Sequence, residues 1–219
     1  MKNHQAVFGK LRSYVWPISG YELKKFLPMF IMQICVCFNY SILRNLKDAL
    51  VVTAETSGAE VIPFIKVWIM LPAAIITTMI FTYLSNHFSR RAVFYIILSS
   101  FLIYFAAFAF IIYPMRDISG SNFIADFLAG VLPEGARGLV SMFRNWTITC
   151  FYVVCELWGS IVLTVLFWGF INEITRLSEA TRFYSVLSIG SNTAAIIAGQ
   201  IAVNFSQESS GPSIFGIDA

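Results

Sequence analysis

Arg44, Lys47, Lys66 and Arg144, accompanied by Asp48 and Glu156, are charged residues set inside stretches of otherwise apolar sequence. The segment "SILRNLKDALVV", Ser41 to Val52, places two cations and a carboxylate directly behind Leu27 to Ile42, which hold no charge. At the centre of a membrane helix each such residue is disfavoured by about 2.5 to 3.5 kcal/mol, so four unpaired cations would cost roughly 10 kcal/mol. Arg44 and Lys47 are spaced i, i+3 and can point from one helix face into a shared cavity. Arginine binds phosphate oxygens through a planar fork and lysine as a mobile point charge, so the set suits a polyanion. Four cations against two acids leave an excess of two that internal pairing does not cancel. The structural alternative pairs Arg44 with Asp48 and Lys66 with Glu156, and lets Arg144 reach the interface along its stem. Glu156 lies about 18 Å beyond Arg144 along one helix, so those two do not pair within it.

These charges need elements that hold them in hydrocarbon. Of 219 residues, 58% are hydrophobic and 12% charged, whereas a soluble domain is about one-quarter charged. Apolar runs long enough to cross about 30 Å of hydrocarbon recur. They are continuous and do not alternate with period two, which excludes a barrel and predicts helices. The expected fold class is therefore all-α, a polytopic membrane helical bundle. Five spans are expected, near 26–53, 61–84, 92–113, 138–170 and 183–205, with a basic N-terminus over 1–25 and a polar tail over 206–219. The fourth is long enough to tilt or protrude.

Nine Lys and Arg fall on one side of these spans and two, Arg116 and Arg137, on the other. The positive-inside rule then places the N-terminus in the cytoplasm. With that orientation Arg44, Lys47, Lys66 and Arg144 lie roughly 8 to 14 Å below the outer helix ends, in one layer. "FIADFLAGVL", Phe123 to Leu132, has the spacing of an amphipathic helix on the outer surface, an interfacial anchor or a lid. "NWT" at Asn145 matches a glycosylation acceptor by chance, since it falls inside the fourth span. Cys35, Cys37, Cys150 and Cys155 form no CxxC pair, and His4 and His87 lie outside the spans, so neither a metal site nor a nucleophile is expected. No catalytic residues, no cofactor and no nucleic-acid surface are expected, which disfavours a membrane-embedded phosphoester hydrolase. The first 25 residues lack the pattern of a signal or transit peptide, which favours a bacterial inner membrane.

The same residues carry a family resemblance. "FNYSILRNLKDALVVTAETSGAEVIPFIKVW" (Phe38 to Trp68), "RNWTITCFYVVCELWGSIVLTVLFWGFINEIT" (Arg144 to Thr175) and "RFYSVLSIGSN" (Arg182 to Asn192) resemble the nucleotide transporters of chlamydiae, rickettsiae and plastids, the non-mitochondrial ADP/ATP translocases. The likeness runs in register from about Phe8 to Phe205. It implies a major-facilitator-like architecture of about twelve spans in two halves, of which this chain would be the N-terminal part with about five. The odd span count and polar tail agree with a chain that stops before a sixth helix and lacks a C-terminal half. "LSNHFSRRAVF" is also similar to the loop after the second helix of major facilitators. The resemblance implies that ATP, ADP and phosphate are the substrates, and that Lys66 in "PFIK" and Glu156 in "ELWGS" are needed for transport.

The expected activity is ATP/ADP antiport by alternating access, with Arg44, Lys47, Lys66, Arg144 and Glu156 as the substrate-binding set. Tyr40, Asn45, Trp146 and Asn192 are candidates for contact with the base. The alternatives are a proton-coupled importer of ribonucleotides or NAD, with Glu156 carrying the proton, and a non-transporting membrane fragment.

Overall fold

In a computed structural model the chain is described at residues 18, 20–54, 57–115, 122–131, 133 and 137–209. The basic N-terminus before residue 18, the acids Glu55, Asp117 and Glu134, and the tail beyond residue 209 lie outside the described residues. The described residues form helices and no strands, as an all-α polytopic membrane protein requires. In chain order these are α1 (Leu23–Thr53), α2 (Val61–His87), α3 (Arg90–Ile112), α4 (Asn122–Val131), α5 (Arg137–Arg144), α6 (Trp146–Ile174) and α7 (Leu177–Ser209). Among them α1, α2, α3, α6 and α7 are long and apolar enough to cross a membrane.

The stretch over 138–170 is not one helix. It breaks at Asn145, whose φ of −103° and ψ of 43° leave the helical region. Local polar side chains explain the break. The Asn145 amide donates to the Ser141 carbonyl at 3.3 Å, and the Thr149 hydroxyl donates to the Met142 carbonyl at 3.0 Å. Such bonds offer the backbone an alternative to the regular ladder. The spanning helix therefore starts at Trp146, and Arg144 stands at its mouth instead of several residues inside it.

Among the described residues three helices contain widened π turns, at Ile65–Met70 in α2, Phe108–Ile112 in α3 and Gly159–Phe167 in α6. Two of them precede a proline. Pro72 lacks an N–H and its ring would strike the Trp68 carbonyl in a regular helix, and Pro114 stands in the same relation to Phe110. Letting the preceding turns open relieves that clash, and it sets Lys66 in a segment of altered pitch. Ser89 starts α3 by accepting a hydrogen bond from the Ala92 N–H at 3.4 Å, the ordinary N-cap arrangement.

The chain divides into two compact units. The first comprises residues 1–42 and 163–219. Its core holds Phe26, Met29, Phe167, Ile171, Phe183 and Leu187, with Phe26 edge-on to Phe183 at 5.0 Å between ring centres. α1 and α7 approach closely where Gly190 meets the Phe30 ring, since a Cβ there would lie 3.1 Å from Cζ. Glu22 accepts from Arg182 at 2.9 and 3.3 Å, and Lys25 pairs with Glu179 at 2.7 Å, fastening the N-terminal ends of these two helices.

The second unit, Leu43–Val162, contains the charges singled out above. One cluster packs Val51, Val61, Ile65, Met142, Ile148, Tyr152 and Val153, and another stacks Phe108 on Phe151 at 4.1 Å. α2 turns Trp68, Leu71, Ile75, Met79 and Tyr83 outward on one face, as hydrocarbon would favour. α5 rests on the start of α2 because Gly138 has no side chain. A Cβ there would run into the Phe64 ring and come 3.1 Å from the Glu60 carbonyl oxygen. Gly138→Ala is therefore expected to destabilise the purified protein by about 1 to 3 kcal/mol, read as a lowered melting temperature in detergent. Adding Phe64→Leu should recover part of that loss, and equal melting of the single variant and the parent would refute this packing.

Candidate functional site

Lys47 is the organising residue. It lies on α1 with its side chain 3% exposed, and its Nζ is 2.6 Å from Asp48 Oδ1 and 3.0 Å from Glu156 Oε1 on α6. The Tyr152 ring completes the enclosure, its centre 3.9 Å from the ammonium. Tyr152 and Glu156 are four residues apart on α6 and so share a face, which lets one helix supply both a ring and a carboxylate. Asp48 is a sequence neighbour of Lys47 and leaves the helix in another direction, so the long lysine stem bends to reach it.

Each partner offsets part of the desolvation of the ammonium. A buried cation without them would cost several kcal/mol. A cation over an aromatic face gains about 0.5 to 2 kcal/mol, most when water is excluded. The exposures decide what an incoming ligand meets. The Asp48 side chain is 44% and the Glu156 side chain 23% exposed, while the lysine is covered. The cluster carries one cation and two carboxylates, and an anion reaches Lys47 only after a carboxylate gives way.

The other cations are placed differently. Arg44 is exposed although Lys47, three residues on, is buried, so the two do not share one enclosure. Lys66 is exposed within the π turn of α2. Neither has an ion-pair partner among the described residues. Arg144, the last residue of α5, donates from Nη2 to Asp126 Oδ1 on α4 at 2.6 Å. The pairs Arg44–Asp48 and Lys66–Glu156 do not form: both carboxylates go to Lys47. Of the candidates for base contact, Asn45, Trp146 and Asn192 are exposed and Tyr40 is half-buried.

Two participants escaped the sequence. Tyr152 is one of 9 tyrosines in an aromatic-rich chain, and its spacing from Glu156 was the available signal. Asp126 sits in a helix whose amphipathic spacing drew attention to its apolar residues instead. No group of three or more potential metal ligands occurs among the described residues.

Glu156→Gln should lower stability by about 3 to 5 kcal/mol, because a lysine buried beneath it loses half of its neutralisation. Tyr152→Phe keeps the ring and should cost less than about 1 kcal/mol, whereas Tyr152→Leu removes it and should cost about 2 kcal/mol or more. Melting of the detergent-purified variants checks the order, and equal losses for Phe and Leu would refute the role of the ring.

The TLC ATP/ADP transporter family profile matches residues 1–215. The chain is 53% identical over 196 residues to ADP,ATP carrier protein 1 of Chlamydia muridarum (strain MoPn / Nigg), covering 90% of this chain and 37% of that protein. It is 51% identical to ADP,ATP carrier protein 1 of Chlamydia pneumoniae, covering 92% of this chain and 39% of the relative. To the chloroplastic ADP,ATP carrier protein 2 of Arabidopsis thaliana it is 44% identical, with 89% and 32% covered. No solved structure matches it. The chain thus spans between three-tenths and two-fifths of the length of these relatives. A match along almost its whole length, together with five helices fit to span a membrane, places this chain in the TLC ATP/ADP transporter family.

Proposed function

We propose that this chain supplies the N-terminal, major-facilitator-like part of a transporter that exchanges ATP for ADP, with phosphate as a companion substrate, by alternating access. The observation that carries the reading is Lys47, a buried ammonium held across two helices by Glu156. In low dielectric a charge left without a partner opposes any rearrangement that seals it from water. In the empty site Asp48 and Glu156 take the place of phosphate oxygens at Lys47. When nucleotide arrives, its phosphates first meet the exposed Arg44 and Lys66, then compete with the carboxylates for Lys47, and Arg144 contributes at the mouth of α6. Only a site whose charges are matched crosses readily, so outward and inward movements are both coupled to bound nucleotide and exchange follows.

The relatives' names, ADP,ATP carrier proteins, support the choice of substrates. The bias of Lys and Arg supports a cytoplasmic N-terminus with α4 on the outer side, and a bacterial inner membrane is the proposed location. Tyr40, Asn45, Trp146 and Asn192 are proposed contacts for the adenine. Transport, not catalysis, is the proposed role of every charged residue in the set.

Proteoliposomes holding the transporter that includes this chain test the reading. Uptake of labelled ATP should require ADP inside. Lys66→Gln and Arg44→Gln should each raise KM about tenfold or more, as loss of a charged phosphate contact implies. Uptake that proceeds without internal nucleotide and collapses with the proton gradient would overturn exchange in favour of symport.

A further inference from the structure

We propose that Asp126 is an internal competitor for the nucleotide's phosphates at Arg144, holding α4 closed over that arginine until substrate displaces it. The proposal rests on the reading of Arg144 as a phosphate-contacting residue.

Three observations carry it. First, the pair links two short helices that lie beside each other in the connection between α3 and α6, with Oδ1 of Asp126 only 2.6 Å from Nη2 of Arg144. Second, the pairing leaves the arginine half used. Asp126 takes one nitrogen, while the Arg144 Nε is buried and has no partner among the described residues. A carboxylate or phosphate engaging the fork fully would accept from two nitrogens, so the contact is replaceable by a better one. Third, α4 packs against α5 but leaves most of its described side chains uncovered. Of its described side chains, Ala125 to Val131, only Ala125 is buried, and Phe127 and Val131 are 64% and 68% exposed. Arg144 is fixed instead, since it adjoins Asn145, and Ser141 and Met142 are buried just before it. When the pair opens, the helix that moves is α4.

Chemically, an Asp126 carboxylate and a nucleotide phosphate oxygen are alternative acceptors for the same guanidinium donors. The carboxylate is largely exposed, so its hold is modest. It suffices to resist displacement by weak anions and yields to a triphosphate, which brings more oxygens and more charge. Because α4 lies on the side where α1 ends and α2 begins, the competition acts on nucleotide entering from that side, the outer one on the orientation proposed above.

The test measures ATP exchange, normalised to protein in the membrane, for Asp126→Asn, Asp126→Glu, Arg144→Gln and the double variant Asp126→Asn/Arg144→Gln. Asp126→Asn should lower KM for external ATP about two- to five-fold, the range an exposed ion pair allows, and Asp126→Glu should keep KM near the parent. Arg144→Gln should raise KM, and Asp126→Asn should then have no further effect in that background. An unchanged or raised KM for Asp126→Asn beside a raised KM for Arg144→Gln would overturn the proposal and leave Arg144 as a phosphate contact. An unchanged KM for Arg144→Gln would instead remove Arg144 from the phosphate set, and this proposal with it. The reversed pair, Asp126→Arg with Arg144→Asp, separates competition from simple fastening: full transport in that variant would show a staple only, whereas restored melting with impaired ATP exchange supports competition.

Discussion

A lysine ammonium that water does not reach must find its counter-charges in the protein, and Lys47 finds them on two helices. Glu156 reaches it from α6, Asp48 from its own helix, and the Tyr152 ring covers the remaining side. The packing around it follows from this need. Tyr152 can lie over the ammonium because Val51, Val61, Ile65 and Val153 close around the ring, and Val61 and Ile65 are in place because Gly138 lets α5 approach the start of α2. The aromatic stack of Phe108 on Phe151 packs a neighbouring stretch of α6 against α3. A polar cluster and an apolar core thus depend on each other: the core excludes water, and exclusion of water makes the ion pairs strong.

The same physics separates the four cations by role. Lys47 is neutralised in place, Arg144 is held by a single exposed carboxylate, and Arg44 and Lys66 have no ion-pair partner among the described residues. That gradient runs from charges a polyanion can meet at once to one it reaches only by displacing protein. On the proposed reading, substrate recognition and conformational change are linked through one quantity, the number of acceptors available to Lys47. Lys66 adds a mechanical element. It rides on a π turn that precedes Pro72, and such turns are rare and recur at functional sites.

Much of the fold was legible in the sequence because lipid imposes one rule, that backbone groups bond within the segment. Length and apolarity alone marked the five helices that, among the described residues, are long and apolar enough to cross a membrane. Their ends were less readable, and the break at Asn145 was invisible to hydropathy because Ser141, Asn145 and Thr149 are uncharged. Part of its signal lay in the spacing of four between Ser141 and Asn145, which lets the Asn145 amide bond to the preceding turn, whereas the Thr149 bond to Met142 spans seven residues. The expense of burying charge marked Lys47 and Glu156 as partners of something, yet it did not say of each other. Pairing across helices depends on which faces meet, and a single sequence does not encode that openly. Asp126 was unreadable for the same reason, since its contact is made across a connection of 18 residues.

The central claim is that nucleotide phosphates and Glu156 exchange places at Lys47. A double-mutant cycle of Lys47→Met and Glu156→Gln, read as melting of the assembled transporter with and without saturating ATP, addresses it directly. The account predicts a coupling of about 3 kcal/mol without nucleotide that shrinks markedly once ATP is bound. A coupling of the same size in both conditions would contradict it, and would leave the Lys47–Glu156 pair as a fixed structural tie.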